Sequence, residues 1–237
     1  MTNVRPLKLP PVFSPTRSSS MEMSGTDPGI LCFQHCDKKT KIFCFSVPST
    51  CPVCGCDLVN SPLRIPPFRI PYPFGRARDF RCAVVIKPTQ GSFLKDYKNS
   101  SDLHIGVTDS RGEVVEYDRN GVKRGDWEHC LPVPIFPKKS SSLSLPQSHS
   151  FVLKWDSTLQ SMATSPLWTK DKYMEKSHNC YAFTLSFLGS LKLERLNGAT
   201  SNPTEFCQRF IVPQTTAAGK YITLYRRLSE TGVVVHR

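Results

Sequence analysis

A histidine and a cysteine begin two segments that lie far apart in the sequence. The two side chains can act together only if the fold brings those segments into contact. His104 begins the alternating, strand-like run in SDLHIGVTDSRGEVVEYD, and Cys180 begins the helix-like run in SHNCYAFTLSFLGSL. In the second run Phe183, Phe187 and Leu191 recur along one helical face. A thiol at a helix start and an imidazole on a rigid strand are the parts that a cysteine hydrolase requires.

Two further residues complete this candidate site. Asn179 is a favourable N-cap for the helix that begins at Cys180, where the helix dipole stabilises negative charge. Glu116 lies across the turn DSRG, and a hairpin with a three-residue loop would place it beside His104. A carboxylate there would hold one imidazole nitrogen and leave the other to take the thiol proton. The same pattern is explained if Cys180 is a core residue and His104 an ordinary strand histidine. His178, two residues before Cys180, competes with His104 as the functional imidazole or is part of the helix cap.

The composition is that of a globular protein with reduced cysteines. The 237 residues suit one main domain with an appendage, and 39% hydrophobic residues exclude global disorder. No run approaches the roughly 18 apolar residues that span a bilayer. The Pro/Ser-rich start lacks an apolar stretch and predicts no secretory signal, so we expect an intracellular protein, cytoplasmic or nuclear. The ten cysteines are then expected to be thiols or metal ligands rather than disulfides.

Composition shifts divide the chain into four stretches. Residues 1–29 are interpreted as a disordered tail, and 30–60 as a compact cysteine-rich unit. Residues 61–78 predict an extended Pro/Arg-rich linker, since prolines exclude a helix interior and a central strand. The main domain is expected at 79–237, with a mobile Ser-rich loop at 138–150.

The order of elements in the main domain predicts the fold class. Residues 80–89 indicate a strand, the hairpin follows, and 151–164 have helical spacing like the segment after Asn179. The segment AGKYITLYRRLSETGVVVH indicates a helix or a strand followed by a terminal strand. Strands, then helices, then a last strand predict an α+β fold with an antiparallel sheet.

The cysteine-rich unit has the spacing of a metal site. Cys51-Pro-Val-Cys54-Gly places two thiolates two residues apart, so that both can bind one ion. The partner knuckle is CFQHC, in which Cys32 with His35, His35 with Cys36, or Cys32 with Cys36 could supply the remaining ligands. We predict a zinc-ribbon-like unit with structural zinc, against the alternative of buried or incidental cysteines.

Two cysteines of the unit lie outside this ligand pattern. Cys44 falls in the strand-like run KIFCFSV and is expected in the core, and Cys56 is a spare thiol after the second knuckle. A unit this small needs a cross-link or a metal to fold, which favours zinc.

The net charge of +12 is spread along the chain. The densest basic cluster lies in the proline-rich stretch and comprises Arg64, Arg69, Arg76, Arg78 and Arg81. We interpret it as a solvated connector. Nucleic-acid binding is not favoured, since no RNP1, KH or helix-turn-helix signature is present, but it stays open, as does an unidentified protein partner.

The hairpin LHIGVTDSRGEVVEYDRNGV and the later HNCYAF resemble the permuted papain-like group that includes the lecithin:retinol acyltransferase-type and PPPDE-type thiol enzymes. In that group the histidine precedes the cysteine. The resemblance implies a permuted papain-like domain in which His104, Glu116 and Cys180 are the catalytic set and Asn179 precedes the nucleophile. Tyr-Ala-Phe follows the cysteine where relatives often have a polar-His-Phe run, and Glu116 replaces a histidine of some members.

A longer resemblance covers residues 30–236, including FQHC, FSVPSTCPVCGCDL, SHNCYAFTLSFL and EFCQRFIVP. This sequence is similar to the vertebrate makorin-two opposite-strand protein family, which implies no established activity. The resemblance implies that Cys36, not Cys32, joins His35, Cys51 and Cys54 as a zinc ligand.

The sequence therefore leads to two functional hypotheses. The first is a cysteine-dependent hydrolase or acyltransferase that acts on an amide, isopeptide or thioester through Cys180 and His104. The second is a non-catalytic protein-interaction module that retains the papain-like fold.

Overall fold

The chain has an α+β fold, as the order of its elements predicts. The computed structural model describes residues 29–136, 148–196 and 198–237, and over these it contains two antiparallel sheets and several helices. The tail predicted at 1–29 and the Ser-rich loop predicted at 138–150 fall almost entirely outside the described residues.

Over the described residues eight strands come first, the α-helices follow, and a ninth strand is the last element. The strands are β1 (Leu31–Gln34), β2 (Lys41–Cys44), β3 (Ile65–Arg69), β4 (Val84–Pro88), β5 (Leu103–Thr108), β6 (Val114–Asp118), β7 (Gly121–Gly125), β8 (Leu131–Val133) and β9 (Val233–His236). The α-helices are α1 (His149–Ala163), α2 (Cys180–Ser190), α3 (Pro203–Phe206) and α4 (Val212–Thr231), and a π-helical turn (Cys207–Ile211) joins α3 to α4.

The larger sheet has the strand order β7-β6-β5-β4-β8, with every pairing antiparallel. Successive side chains of a strand point to opposite faces. Ile105 and Val107 of β5 therefore join the main core with Phe183 and Phe187 of α2. Gly106, between them, faces the other side, where Trp127 packs against the sheet.

The hairpin between β5 and β6 forms with a tight loop. The amide of Asp109 donates to the carbonyl of Glu113 at 2.9 Å, and Gly112 has a φ of +88° in the turn. A Cβ atom at Gly112 would lie 2.5 Å from the Cα of Arg78, so glycine is required both for the backbone angle and for space. The resulting register sets Glu116 opposite Gly106.

The smaller sheet has the strand order β3-β1-β2-β9 and joins distant parts of the chain. It contains strands from the predicted cysteine-rich unit, from the predicted linker and from the end of the predicted main domain. Strand β3, with the sequence IPPFR, lies at the edge and pairs only with β1, which agrees with the exclusion of these prolines from a central strand.

The segment near the end of the chain is a helix followed by a strand. Helix α4 ends at Gly232, whose φ of +73° turns the chain into β9. Strand β9 pairs along its full length with β2, so that Val234 lies opposite Phe43. Among the described residues, no helix combines the length and apolarity needed to cross a bilayer.

We expect Val234→Ala to lower the free energy of unfolding by about 2 kcal/mol, because its buried methyl groups contact the main core. The matched control is Val235→Ala, whose side chain is 37% exposed, and its effect should stay below about 0.5 kcal/mol. Urea unfolding of the full chain measures both. Equal effects of the two variants would show that β9 does not tie the sheet to the core.

Candidate thiol site and metal centre

Cys180 is the first residue of α2, and its position is set by the cap before it. The Asn179 side-chain oxygen accepts hydrogen bonds from the amides of Tyr181 at 3.0 Å and Ala182 at 3.1 Å. Its amide nitrogen donates to the carbonyl of Glu175 at 2.7 Å. Asn179 is therefore the N-cap of this helix, and it occupies two amides that could otherwise bind an oxyanion.

His104 and Glu116 form a close, mostly buried pair. The His104 Nε2 atom lies 2.6 Å from the Glu116 Oε2 atom, and the two side chains are 12% and 16% exposed. Glu116 stands opposite Gly106, so its side chain reaches His104 diagonally across the hairpin. Because Nε2 is engaged by the carboxylate, Nδ1 is the nitrogen that remains for the thiol.

The charges around His104 favour its protonated form. Burial acts to lower the pKa of His104, but hydrogen bonds and charges of Cys180 and Glu116 outweigh it and raise that pKa to about 9. Burial likewise opposes ionisation of Glu116, yet the hydrogen bond with His104 and the charge of Lys87 lower the pKa of Glu116. The site therefore favours the imidazolium form of His104 beside the carboxylate of Glu116, with Cys180 close to the imidazole.

Three residues that the sequence did not indicate support this pair. The indole N–H of Trp127 donates to Glu116 Oε1 at 3.3 Å, and its ring lies 5.7 Å from the His104 ring. The Lys87 ammonium lies 4.2 Å from the Trp127 ring centroid, a cation–π contact. A Cβ atom at Gly106 would come within 3.1 Å of the indole, so this strand glycine admits Trp127. A glycine two residues after His104 is the signal that could have indicated such a close approach.

His178, the competing imidazole, is held elsewhere. Its ring stacks on Trp168 at 4.3 Å with an interplanar angle of 4°. Its Nε2 atom donates to the carbonyl oxygen of Leu167 at 2.9 Å, and the ring also meets Tyr117 edge-on. His104, rather than His178, is the imidazole whose pKa is raised by Cys180.

Cys180 is close to the protein interior. The residue is 7% exposed and belongs to the main core, and Tyr173 is near enough that burial and the Cys180 charge raise the pKa of Tyr173. A surface cavity nearby is lined by residues 120–122, 163–166 and 168–171, and Cys180 is outside this lining. Little of the Cys180 side chain is therefore open to solvent.

A second cluster of chemically active side chains lies in the smaller sheet's loops. The ligand atoms of His35, Cys36, Cys51 and Cys54 all lie within 4.8 Å of one another. The sulfurs of Cys36 and Cys51 are 4.0 Å apart, and the Cys54 sulfur is 3.3 Å from His35 Nδ1. Tetrahedral metal–sulfur bonds of about 2.3 Å require sulfurs about 3.8 Å apart. The four residues could therefore hold one metal ion.

The second knuckle is shaped by its own backbone. The amide of Gly55 donates to the carbonyl of Cys51, and the amide of Cys51 to the carbonyl of Cys56, both at 2.8 Å. Gly55 has a φ of +75°, which a residue with a Cβ rarely adopts. Cys51 is buried against a small core that includes Phe33, whereas Cys54 is exposed.

Cys32 is not part of the four-residue cluster. It lies in β1 opposite Phe43 and is buried, and this burial raises the pKa of its thiol. Cys44 in β2 is fully buried, which raises the pKa of its thiol to about 11. Both are neutral core residues. Of the two cysteines in the first knuckle, Cys36 rather than Cys32 therefore lies in the cluster.

Comparison with known proteins shows similarity along most of the chain. Residues 67–228 match the family model described as DUF4796 C-terminal, and residues 28–58 match DUF4796 N-terminal. The chain is 35% identical over 205 residues to the MKRN2 opposite strand protein of Homo sapiens, covering 86% of this chain and 87% of that relative. No solved structure matches. The resemblance to the opposite-strand proteins is thus confirmed.

The pKa of His104 predicts how stability depends on pH. Its folded value of about 9 exceeds the ordinary 6.5, so protonated His104 stabilises the fold. This contribution, at most about 3 kcal/mol, is complete below pH of about 6.5 and is lost as pH rises through about 9. Urea unfolding between these pH values should show the loss in the wild type and a flatter profile in Glu116→Gln.

Glu128→Gln, which removes an exposed carboxylate instead, serves as the control and should keep the wild-type pH profile. A Glu116→Gln profile as steep as that of the wild type would contradict the assigned charge of the pair.

Proposed function

The chain belongs to the DUF4796 family, and from that premise we propose that it is a thiol hydrolase or acyltransferase with a permuted papain-like domain. The observation that carries the proposal is the His104–Glu116 pair at 2.6 Å, with Cys180 near enough to raise the pKa of His104. A thiol, a base and a group that orients the base are the minimum for nucleophilic catalysis by cysteine.

The arrangement of elements supports the papain-like part of the proposal. The thiol begins α2, which packs through Phe183 and Phe187 on the face of the antiparallel sheet that bears Ile105. His104 is the second residue of β5, and Glu116 lies on β6, the next strand of the hairpin. The histidine precedes the cysteine in the chain, which is the order of the permuted group.

The contacts define what each side chain would do. Cys180 would attack the carbonyl carbon of an amide, isopeptide or thioester and form an acyl-thioester with the protein. His104, as the imidazolium, would hold at Nδ1 the proton that the thiol gives up and would deliver it to the leaving group. Glu116 would hold Nε2, and Trp127 would hold Glu116 through the indole N–H. Water or another nucleophile would then release the acyl group.

One observation favours a second candidate, a non-catalytic protein-interaction module with the same fold. Cys180 is only 7% exposed, and the cavity lined by residues 163–171 lies apart from it. In that case the triad-like contacts would serve stability alone, and the thiol would meet no substrate.

The reactivity of Cys180 separates the two candidates. We expect iodoacetamide at neutral pH to modify Cys180 in the full chain, and His104→Ala to slow that reaction at least about tenfold by removing the base. Peptide mass spectrometry over time measures the rate at this one cysteine. His129→Ala, at an exposed histidine, is the control and should leave the rate unchanged.

Modification no faster than that of a free thiol, or an equal rate in His104→Ala, would favour the interaction module. Circular dichroism of each variant establishes that the fold is retained, so that a slow rate is not an effect of unfolding.

A second part of the proposal concerns the metal. The four ligands His35, Cys36, Cys51 and Cys54 are a closed set of one nitrogen and three sulfurs, typical of structural zinc. Such a site leaves no open position for substrate. It would instead fix the loops after β1 and β2, where only a small core is buried.

The zinc proposal predicts one zinc ion per chain after purification. Cys54→Ser removes one of the three thiolate ligands and should lower the zinc content at least about fivefold. Cys56→Ser, an exposed thiol outside the ligand set, should keep the full content. Inductively coupled plasma mass spectrometry measures both, and equal zinc in the two variants would exclude this ligand set.

A further inference from the structure

A fifth thiol stands at the edge of the metal centre. Cys56 is exposed, lies outside the four ligands and follows Cys54 with only Gly55 between them. Its sulfur is 4.0 Å from the Cys54 carbonyl oxygen. A structural metal site needs four ligands, so the fifth thiol has no role in metal binding.

The backbone bends sharply at Gly55, between the two cysteines. Its φ of +75° bends the chain between the two cysteines, and no atom lies within 4 Å of the position of a Cβ there. Cys54 is itself exposed, so both sulfurs are open to a small oxidant from solvent. Exposed cysteines beside a resolving cysteine are the sites at which oxidation is reversible.

We propose that Cys56 is an oxidation site that releases the metal: hydrogen peroxide joins Cys56 to Cys54 in a disulfide, and the centre loses a ligand. The inference rests on the proposed zinc centre and adds a condition under which that centre opens. It concerns the centre alone and is independent of the thiol site at Cys180.

The chemistry balances with one peroxide for each disulfide. The Cys56 thiolate attacks one peroxide oxygen, which yields a sulfenic acid and one hydroxide. The Cys54 thiolate then attacks the Cys56 sulfur, which forms the S–S bond and expels a second hydroxide. The two sulfurs lose two electrons, and the hydroxides leave as water once protonated. A thiol reductant reverses the reaction and restores the fourth ligand.

The competing reaction is a disulfide between two ligands. The sulfurs of Cys36 and Cys51 are 4.0 Å apart, but Cys51 is buried and would have to be reached from the interior side of the centre. Trypsin distinguishes the two products, because cleavage after Lys41 separates Cys36 from Cys51, whereas Cys54 and Cys56 stay in one peptide.

The test uses the full-length, zinc-loaded protein with equimolar hydrogen peroxide and a chromogenic zinc chelator. Wild type should release zinc at least about fivefold faster than Cys56→Ser, and dithiothreitol should restore zinc binding. Cys207→Ser, at a half-buried cysteine outside the centre, is the matched control and should release zinc at the wild-type rate. Fragmentation of the unreduced tryptic peptide should place the disulfide between Cys54 and Cys56.

Zinc release from Cys56→Ser at the wild-type rate, or a cross-link of Cys36 to Cys51, would overturn the proposal. Protein that neither contains nor binds zinc would instead refute the metal centre and, with it, metal release. The peptide map would still decide whether Cys54 and Cys56 are the oxidised pair.

Discussion

The packing of α2 on the β5–β6 hairpin is the contact on which the candidate site depends. Phe183 lies 6.1 Å from Tyr117 of β6 between ring centroids, and Phe187 meets Trp155 of α1 edge-on at 4.8 Å. These buried aromatic contacts fix the helix against the sheet at close-packed density. Because Cys180 is the first residue of that helix, the same packing positions the thiol relative to β5, the strand that contains His104.

The residues on the sheet face away from α2 influence the protonation of His104 and Glu116. Trp127 covers Glu116 and His104 there, and Lys87 lies over the indole. Desolvation opposes protonation of His104 there, but the interactions of the ring with Cys180 and Glu116 outweigh it and raise the pKa of His104. Cys180 belongs instead to the core on the α2 side of the sheet, where it is 7% exposed.

The smaller sheet couples the metal centre to the rest of the chain. Strand β9 follows α4, whose residues Ala218 and Ile222 are in the main core, and it pairs with β2 beside the knuckles. The small core around Phe33 and Cys51 is too small to be stable without such pairing or a cross-link. The cluster of His35, Cys36, Cys51 and Cys54 is therefore joined to the helical end of the molecule through the pairing of β2 with β9.

By itself, the sequence predicted the chemistry-bearing residues and their local structure: a capped helix at Cys180, a strand at His104, and two knuckles with ligand spacing. Whether Glu116 lies beside His104 depended on a three-residue hairpin loop, which the sequence left open and the structure contains. Capping, alternation and spacing are local signals, and they can be read without the fold. The tertiary structure alone decided that Trp127, Lys87 and Gly106 surround the pair and that His178 stacks on Trp168 instead. It alone placed the last strand beside β2 and left Cys180 almost buried. These outcomes depend on which distant surfaces pack together, and no local pattern in the chain encodes that choice.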